Sequence, residues 1–241
     1  MSANSNIDMQ AVILAGGEGK RLAPYTAEIP KPLVTVGDRP VIEILLHRLK
    51  KSGVRKSCIA VNHLSHLIIA ALGDGSRLGM DLVYSYEEKP LSTVGPLTLI
   101  DNLPEHFLVA NGDIITDLDF RRMFDYHISS QALVTVATCK RRSYSNYGVL
   151  EVDNTGRVTS FREKPSIKYI VSAGIYVFSH AVLEHVPRGV PFGFDDLMTT
   201  LLEKDLSIQT FPCEGYWLDI GRLDDYEQAN RDHEIIERLL E

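Results

Sequence analysis

The chain has 241 residues, 44% of them hydrophobic and 24% charged, enough to bury a full core as one large α/β domain. A formal net charge of −7 excludes a general nucleic-acid or membrane surface, and no apolar run approaches the about 20 residues that cross a bilayer. Cys58, Cys139 and Cys213 are far apart, odd in number and free of CxxC spacing, which excludes a disulfide framework and a zinc site and predicts three reduced thiols in a cytoplasmic protein.

The first residues, MSANSNIDMQ, have neither the basic nor the apolar region of a signal peptide. They predict a loose, flexible tail over 1–8, with Met9 as an alternative start and a single domain over 9–241. Residues 10–15 read as a short buried parallel strand, because Val12, Ile13 and Leu14 are apolar or β-branched in a run too short for a helix. Gly16, Gly17 and Gly19 then permit positive φ and a close approach, so that backbone N–H groups can face phosphate oxygens. Lys20 and Arg21 supply the charge that such a ligand needs. A P-loop needs glycine where Leu14 stands and a hydroxyl where Arg21 stands, and a dinucleotide fingerprint from Gly17 needs glycine where Leu22 stands, so both are excluded. Pro30-Lys31-Pro32 follows soon after.

A helix over 40–52, a strand over 56–61, a helix over 65–72 and a strand over 81–85 continue an order that implies a parallel sheet with crossover helices. The helix from Pro40 has Asp38 or Arg39 near its cap, Val41, Ile44, Leu45 and Leu49 on one face, and Gly53 at its end. His63 and His66 read as a helix entry and its surface. A buried strand over 107–110 ends in Asn111-Gly112-Asp113, and a helix over 118–127 follows with Asp119 at its cap. The second half is richer in strands, at 132–138, 147–152, 158–163 and 171–178, with Asp153-Asn154-Thr155-Gly156 as a hairpin turn. Short helices over 181–185 and 195–202, a strand over 208–211 and one long final helix from about 223 complete the chain, without repeat, low-complexity segment or linker.

The run LAGGEGKRL, the Ile29-Pro30-Lys31-Pro32-Leu33 segment, Asn111-Gly112-Asp113 and Trp217-Leu218-Asp219-Ile220-Gly221 together resemble the signature of the sugar-1-phosphate nucleotidyltransferases. Three more points carry the likeness: Tyr147-Gly148-Val149-Leu150-Glu151, Phe161-Arg162-Glu163-Lys164-Pro165 and Ser172-Ala173-Gly174-Ile175-Tyr176. The resemblance implies an α/β fold, a Rossmann-like three-layer α/β/α sandwich on a mixed, mainly parallel sheet. It also implies a nucleotide-binding half over about 9–130, a sugar-binding half over about 131–222 and a C-terminal helix over about 223–241. The implied reaction joins a nucleoside triphosphate and a sugar 1-phosphate into a nucleotide sugar and pyrophosphate. No C-terminal hexapeptide-repeat region is present, so the chain is expected to end with its catalytic portion.

Bringing two polyanions together calls for positioning and cations rather than a protein nucleophile. By resemblance, Leu14, Ala15, Gly16, Gly17 and Gly19 lie along the nucleotide, Arg21 stabilises the triphosphate and departing pyrophosphate, and Lys31 reaches the phosphates at the reaction centre. Gly148 and Gly174 give backbone contact to the sugar, Glu163 accepts from its hydroxyls, and Lys164 binds its phosphate. Magnesium prefers oxygen ligands and keeps several waters, so one or two carboxylates suffice; the resemblance makes them Asp113 and Asp219.

The segment from Glu87 to Gly95 occupies the place where the family reads the base. A carboxylate accepts from both the N1–H and the N2 amino group of guanine, whereas thymine and uracil offer one such donor on that edge. GTP is therefore expected, with Glu88 as the reader, Glu87 competing for the role and Gly95 beside them, and a mannose- or manno-heptose-type 1-phosphate as the second substrate. Gly73-Asp74-Gly75-Ser76-Arg77 is shared with muramic-acid-phosphate uridylyltransferases, which makes UTP with an amino sugar the alternative. Asp117-Leu118-Asp119 offers a DxD reading as a glycosyltransferase metal motif. A silent nucleotide-sugar sensor is opposed by the complete set Arg21, Lys31, Asp113, Lys164 and Asp219. Tyr226, Ile235, Ile236, Leu239 and Leu240 on the final helix are available for the chain's own core or for a homodimer contact.

Overall fold

The computed structural model describes residues 8–240, so most of the expected flexible tail lies outside the described residues. The elements run β1 (Gln10–Leu14), β2 (Thr35–Val36), β3 (Arg39–Pro40), α1 (Val41–Lys51), β4 (Lys56–Val61), α2 (Ser65–Leu72), β5 (Asp81–Tyr86), β6 (His106–Asn111), β7 (Ile114–Thr116) and α3 (Phe120–Ser130). They continue with β8 (Val134–Tyr144), β9 (Val149–Val152), β10 (Val158–Arg162), β11 (Ser166–Ser179), α4 (Phe194–Glu203), β12 (Ile208–Pro212), β13 (Trp217–Asp219), α5 (Leu223–Arg231) and α6 (His233–Leu240).

The central sheet has seven strands in the order β12-β8-β11-β6-β1-β4-β5. β6, β1, β4 and β5 are parallel, β11 is antiparallel to both β6 and β8, and β12 is parallel to β8. Side chains alternate across it as a pleated sheet requires. Ala11 and Ile13 face a core with Leu45 and Leu49 of α1, Ile68 of α2 and Phe124 of α3. Val12 faces the opposite core with Val109, Phe178, and Leu197 and Leu201 of α4. Helices thus cover both faces of a mixed, mainly parallel sheet. A third cluster joins the other stripe of α1, at Val41 and Ile44, to Leu22, Ile115, Ile220 and Ile236.

Two helix expectations need correction. The residue capping α1 is Pro40, with no side-chain bond, so neither Asp38 nor Arg39 serves there; the fixed φ of proline sets the entry instead. The long final helix is broken into α5 and α6 at Asp232, whose carboxylate accepts from the Tyr216 hydroxyl at 3.1 Å and from Gln228 Nε2 at 2.8 Å. The break turns α6 so that Ile236 is buried, with Tyr226, Leu239 and Leu240 packed around it, while Ile235 stays exposed. Asp119 does cap α3, accepting from the Arg122 N–H at 2.9 Å. No helix among the described residues is long and apolar enough to cross a membrane.

β8 and β11 outrun the sheet. Their pairing continues from Ser172↔Thr138 to Ser166↔Tyr144, past the end of the β12 pairing at Pro212↔Thr138 and beyond the β6 pairing, which begins at Ile175. A β9–β10 hairpin is joined to this ribbon and turns through residues 153–156, where Gly156 takes φ +83° and Thr155 N–H donates to Asp153 Oδ1 at 2.9 Å.

Candidate active site

The parallel strands deliver their following loops to one edge of the sheet, the usual ligand edge of an open α/β fold. A cavity of about 500 Å³ opens there, walled by residues 14–21, by Lys31 and Pro32, by Glu87 and the 90–96 segment, and by Asn111, Asp113 and Gly221. Leu14, Ala15, Gly16, Gly17, Gly19, Arg21, Lys31 and Asp113 therefore share one wall-to-wall space. The glycines serve differently from one another. Only Gly19 has positive φ, +65°, and its carbonyl accepts from Thr26 Oγ1 at 2.8 Å. A Cβ on Gly16 would stand 2.7 Å from Glu87 Oε1, whereas one on Gly17 would meet nothing within 4 Å. Gly16 is thus fixed by a close approach, and Gly17 leaves open the side where a ligand lies.

Asp113 sits between β6 and β7, and Asp219 ends β13, which pairs antiparallel with β7 at Asp219↔Ile114. The Ile220 N–H donates to the Asp113 carbonyl at 3.0 Å, so the two aspartates are locked side by side although 106 positions apart in sequence, by subtraction of their numbers. Lys31 comes between them: its ammonium is ion-paired to Asp113 Oδ2 and lies 3.6 Å from Asp219 Oδ1. Burial, and then the Asp113 charge, push the Asp219 carboxyl up from the ordinary range, against the pull of Lys31. Asp113 Oδ1 and Asp219 Oδ1 are buried without a hydrogen-bond partner among the described residues. Two orphaned hard oxygen donors beside a phosphate-sized cavity suit a divalent cation that takes its remaining ligands from phosphate and water. No group of three or more His, Cys, Asp or Glu side chains converges among the described residues, so the protein's share of such a site is these two carboxylates.

Of the two carboxylates in the segment expected to read the base, one lies on the cavity wall. Glu88 is exposed and stands off the cavity wall, while Glu87 is half-buried on it. Glu87 N–H continues the β4–β5 ladder by donating to Val61 at 3.1 Å, and its carbonyl accepts from Asn62 Nδ2 at 2.9 Å. Its Oε2 accepts from the Leu91 N–H at 2.9 Å, leaving Oε1 beside Gly16. Burial raises its carboxyl above the usual range, and the Leu91 N–H partly opposes this. Gly95 lies beneath the wall, its N–H donating to the Phe192 carbonyl at 3.0 Å. A Cβ there would meet Leu91 and Val190 at 2.9 and 3.1 Å, so packing requires this glycine and Pro96 takes the place at the wall.

The sugar-side residues are less gathered. Gly174, at φ +71°, approaches Asn111, whose Nδ2 would lie 2.7 Å from a Cβ added there. Asn111 itself lines the cavity. Gly148 and Glu163 meet each other, Oε2 lying 3.0 Å from a Cβ at Gly148, but they and Lys164 are exposed at the base of the β9–β10 hairpin and off the cavity wall. Ser92 and Thr93 line the cavity, and sequence reasoning placed them in the right segment without giving them a role. Asn111 was recognisable as the last residue of a buried strand, the position that delivers a side chain to this edge.

Asp117-Leu118-Asp119 does not converge on a ligand. Asp119 caps α3, and Asp117 lies against Gly215, where an added Cβ would stand 2.0 Å from Oδ2.

A family model described as nucleotidyl transferase matches residues 10–235. A UTP–glucose-1-phosphate uridylyltransferase from Synechocystis is 32% identical over 92% of this chain, and a mannose-1-phosphate guanylyltransferase catalytic subunit beta from Danio rerio is 33% identical over 90% of it. The chain spans 63% and 62% of the length of these two relatives. Among solved structures, HddC from Yersinia pseudotuberculosis superposes with a TM-score of 0.73 at 26% identity, covering 93% of this chain and 99% of that one. The same protein complexed with GMP-PN superposes at 0.72, with 25% identity over 93% of this chain and 99% of that one.

Proposed function

Since the chain belongs to the nucleotidyl transferase family, we propose that it is a cytoplasmic, Mg²⁺-dependent enzyme making a nucleotide sugar and pyrophosphate from a nucleoside triphosphate, preferably GTP, and a sugar 1-phosphate of the mannose or manno-heptose type. The observation that carries the reading is the assembly of Lys31 and Asp113 with the glycine loop in a single cavity, with Asp219 held beside them 3.6 Å from the Lys31 ammonium. A phosphate oxygen of the sugar 1-phosphate attacks the α-phosphorus in line, the α–β phosphoanhydride bond breaks, and pyrophosphate leaves. Leu14 to Gly19 cradle the nucleotide, Arg21 faces the departing pyrophosphate, and Lys31 turns from the aspartates to the reacting phosphates. Asp113 and Asp219 would hold Mg²⁺, which when bound would supply charge neutralisation. Gly148, Glu163, Lys164 and Gly174 receive the sugar and its phosphate.

Glu87 replaces Glu88 as the reader of guanine in this proposal: one oxygen is fixed on the Leu91 N–H, and the other lies beside Gly16 on the cavity wall. The GMP-PN-bound neighbour supports a guanine nucleotide. The second reading is UTP with an amino sugar; the uridylyltransferase relative, at similar identity, supports its nucleotide, while the Gly73-Asp74-Gly75-Ser76-Arg77 likeness carries its sugar. The test is pyrophosphate release with Mg²⁺ over a matrix of four nucleoside triphosphates and mannose-, manno-heptose-, glucose-, N-acetylglucosamine- and N-acetylmuramic acid-1-phosphates. One strong GTP combination is expected, and Glu87→Gln is expected to cut the GTP-over-UTP preference about tenfold, the scale of one charge-assisted hydrogen bond. A strong UTP combination would overturn the base assignment, and silence throughout would overturn the reaction.

A further inference from the structure

Cys139 and Cys213, distant in sequence, are brought together by the sheet. The parallel β8–β12 register runs to Pro212↔Thr138, and the next residue on each strand is a cysteine. The Cys213 N–H donates to the Thr138 carbonyl at 2.8 Å, carrying the β8–β12 register one step further and setting the two cysteines side by side. Both belong to one core cluster with Trp217, Cys139 being buried and Cys213 half-buried. The Thr116 hydroxyl lies 3.6 Å from the Cys213 sulfur. Adjacent residues on paired strands fall within the separation that a disulfide spans. Cys58 lies in the opposite core.

We propose that Cys139 and Cys213 form a reversible redox-modification site, at which a peroxide converts two neighbouring thiols into a disulfide across β8 and the end of β12. The neighbouring Cys139 thiol, then the Thr116 hydroxyl, draw the Cys213 thiol down from its ordinary value against the effect of burial, which favours the thiolate at the more accessible sulfur. The Cys213 thiolate attacks the peroxide O–O bond, the sulfur takes one oxygen as sulfenic acid, and the other leaves as water. The Cys139 sulfur then attacks the sulfenic sulfur: the S–S bond forms, the S–O bond breaks, and the Cys139 proton departs with the second water. Two thiols are oxidised by two electrons and one peroxide is reduced to two waters.

Cys213 leads into β13, whose Trp217 pairs with Thr116 and whose Asp219 pairs with Ile114, next to Asp113. Closing the bond draws this segment toward β8 and away from its Thr116 contact, so oxidation moves Asp219; this consequence rests on the proposed function, whereas the thiol chemistry does not. The test exposes the full chain to hydrogen peroxide, digests it without reduction and weighs the peptides. A Cys139–Cys213 cross-linked peptide, lighter by two hydrogens and abolished by dithiothreitol, is expected, with Cys58 still open to alkylation after unfolding. In Cys139→Ser, dimedone is expected to trap sulfenic acid at Cys213. A Cys213 that remains a free thiol, or peroxide reacting first at Cys58, overturns the site. Pyrophosphate release that falls on oxidation, returns with dithiothreitol and is insensitive to peroxide in Cys213→Ser supports the link to Asp219; unchanged turnover in the cross-linked chain overturns that link alone.

Discussion

The two halves of the candidate site are built to different standards of rigidity. On the nucleotide side, Leu14 and Asn111 end, and Asp113 follows, strands whose residues are buried on both faces, and the glycine loop is tied by Thr26 and by the Ala15 N–H donating to Ala60 at 2.8 Å. On the sugar side, Gly148, Glu163 and Lys164 ride on a two-stranded hairpin that exposes Leu150, Val152, Val158 and Phe161 by 53–61%. Two strands alone are marginally stable in water. On the proposed function, the phosphate-handling geometry is set by packed strands before any ligand arrives, and the sugar is received on the least packed part of the site.

That contrast can be broken in several ways. Asp113→Asn is expected to cut turnover about 10²–10³-fold, by removing half of the carboxylate pair that the rigid side holds in place. Steady-state pyrophosphate release measures it, and a loss of under threefold would remove Asp113 from the chemistry. Phe107→Ala, in the buried face of β6, is expected to cost about 3–5 kcal/mol, whereas Phe161→Ala on the hairpin stays within about 0.5 kcal/mol. Urea unfolding of the pair tests the difference directly, and equal costs would mean that the hairpin is packed in solution.

His127 gives the rigid side a pH signature. Its ring is fully buried, with Nδ1 2.8 Å from Thr135 Oγ1 and Nε2 3.1 Å from Ser179 Oγ, and burial, aided by His106, lowers its pKa from 6.5 to about 4. The unfolded chain takes up this proton near pH 6.5 while the folded one resists to about 4, so stability is full above 6.5 and falls by about 3 kcal/mol on the way down. Urea midpoints from pH 7 to pH 4 are expected to show this slope in the wild type and a flatter one in His127→Gln. The smallest effect belongs to the hairpin: Glu163→Ala is expected to raise the sugar-phosphate KM about tenfold with kcat and melting temperature nearly unchanged. A fall in melting temperature instead would assign Glu163 to the fold.

What the sequence made legible follows the same division. That Lys31, Asp113 and Asp219 belong to one place could be read from the family's short motifs, and the structure does bring the three side chains together. The choice between Glu87 and Glu88 could not, since it depends on where the β5 ladder stops; pairing extends through the Glu87 N–H, and one step of strand alternation decides which carboxylate turns inward. The break between α5 and α6 was hidden because Asp232 answers to Tyr216, a partner outside the helix. Likewise, spacing along the chain could not reveal that Cys139 and Cys213 meet, because β8 and β12 are joined only by the sheet.

Arg48 of α1 donates from Nη1 to the Leu239 carbonyl at 3.0 Å and from Nη2 to the Asp117 carbonyl at 3.1 Å. One guanidinium thus holds the last turn of α6 and the backbone just past β7 in the same hand. For anyone engineering this chain, an affinity handle that unwinds the last turn of α6 tugs, through a half-buried cation, on the loop beside the strand pair that presents Asp113 and Asp219.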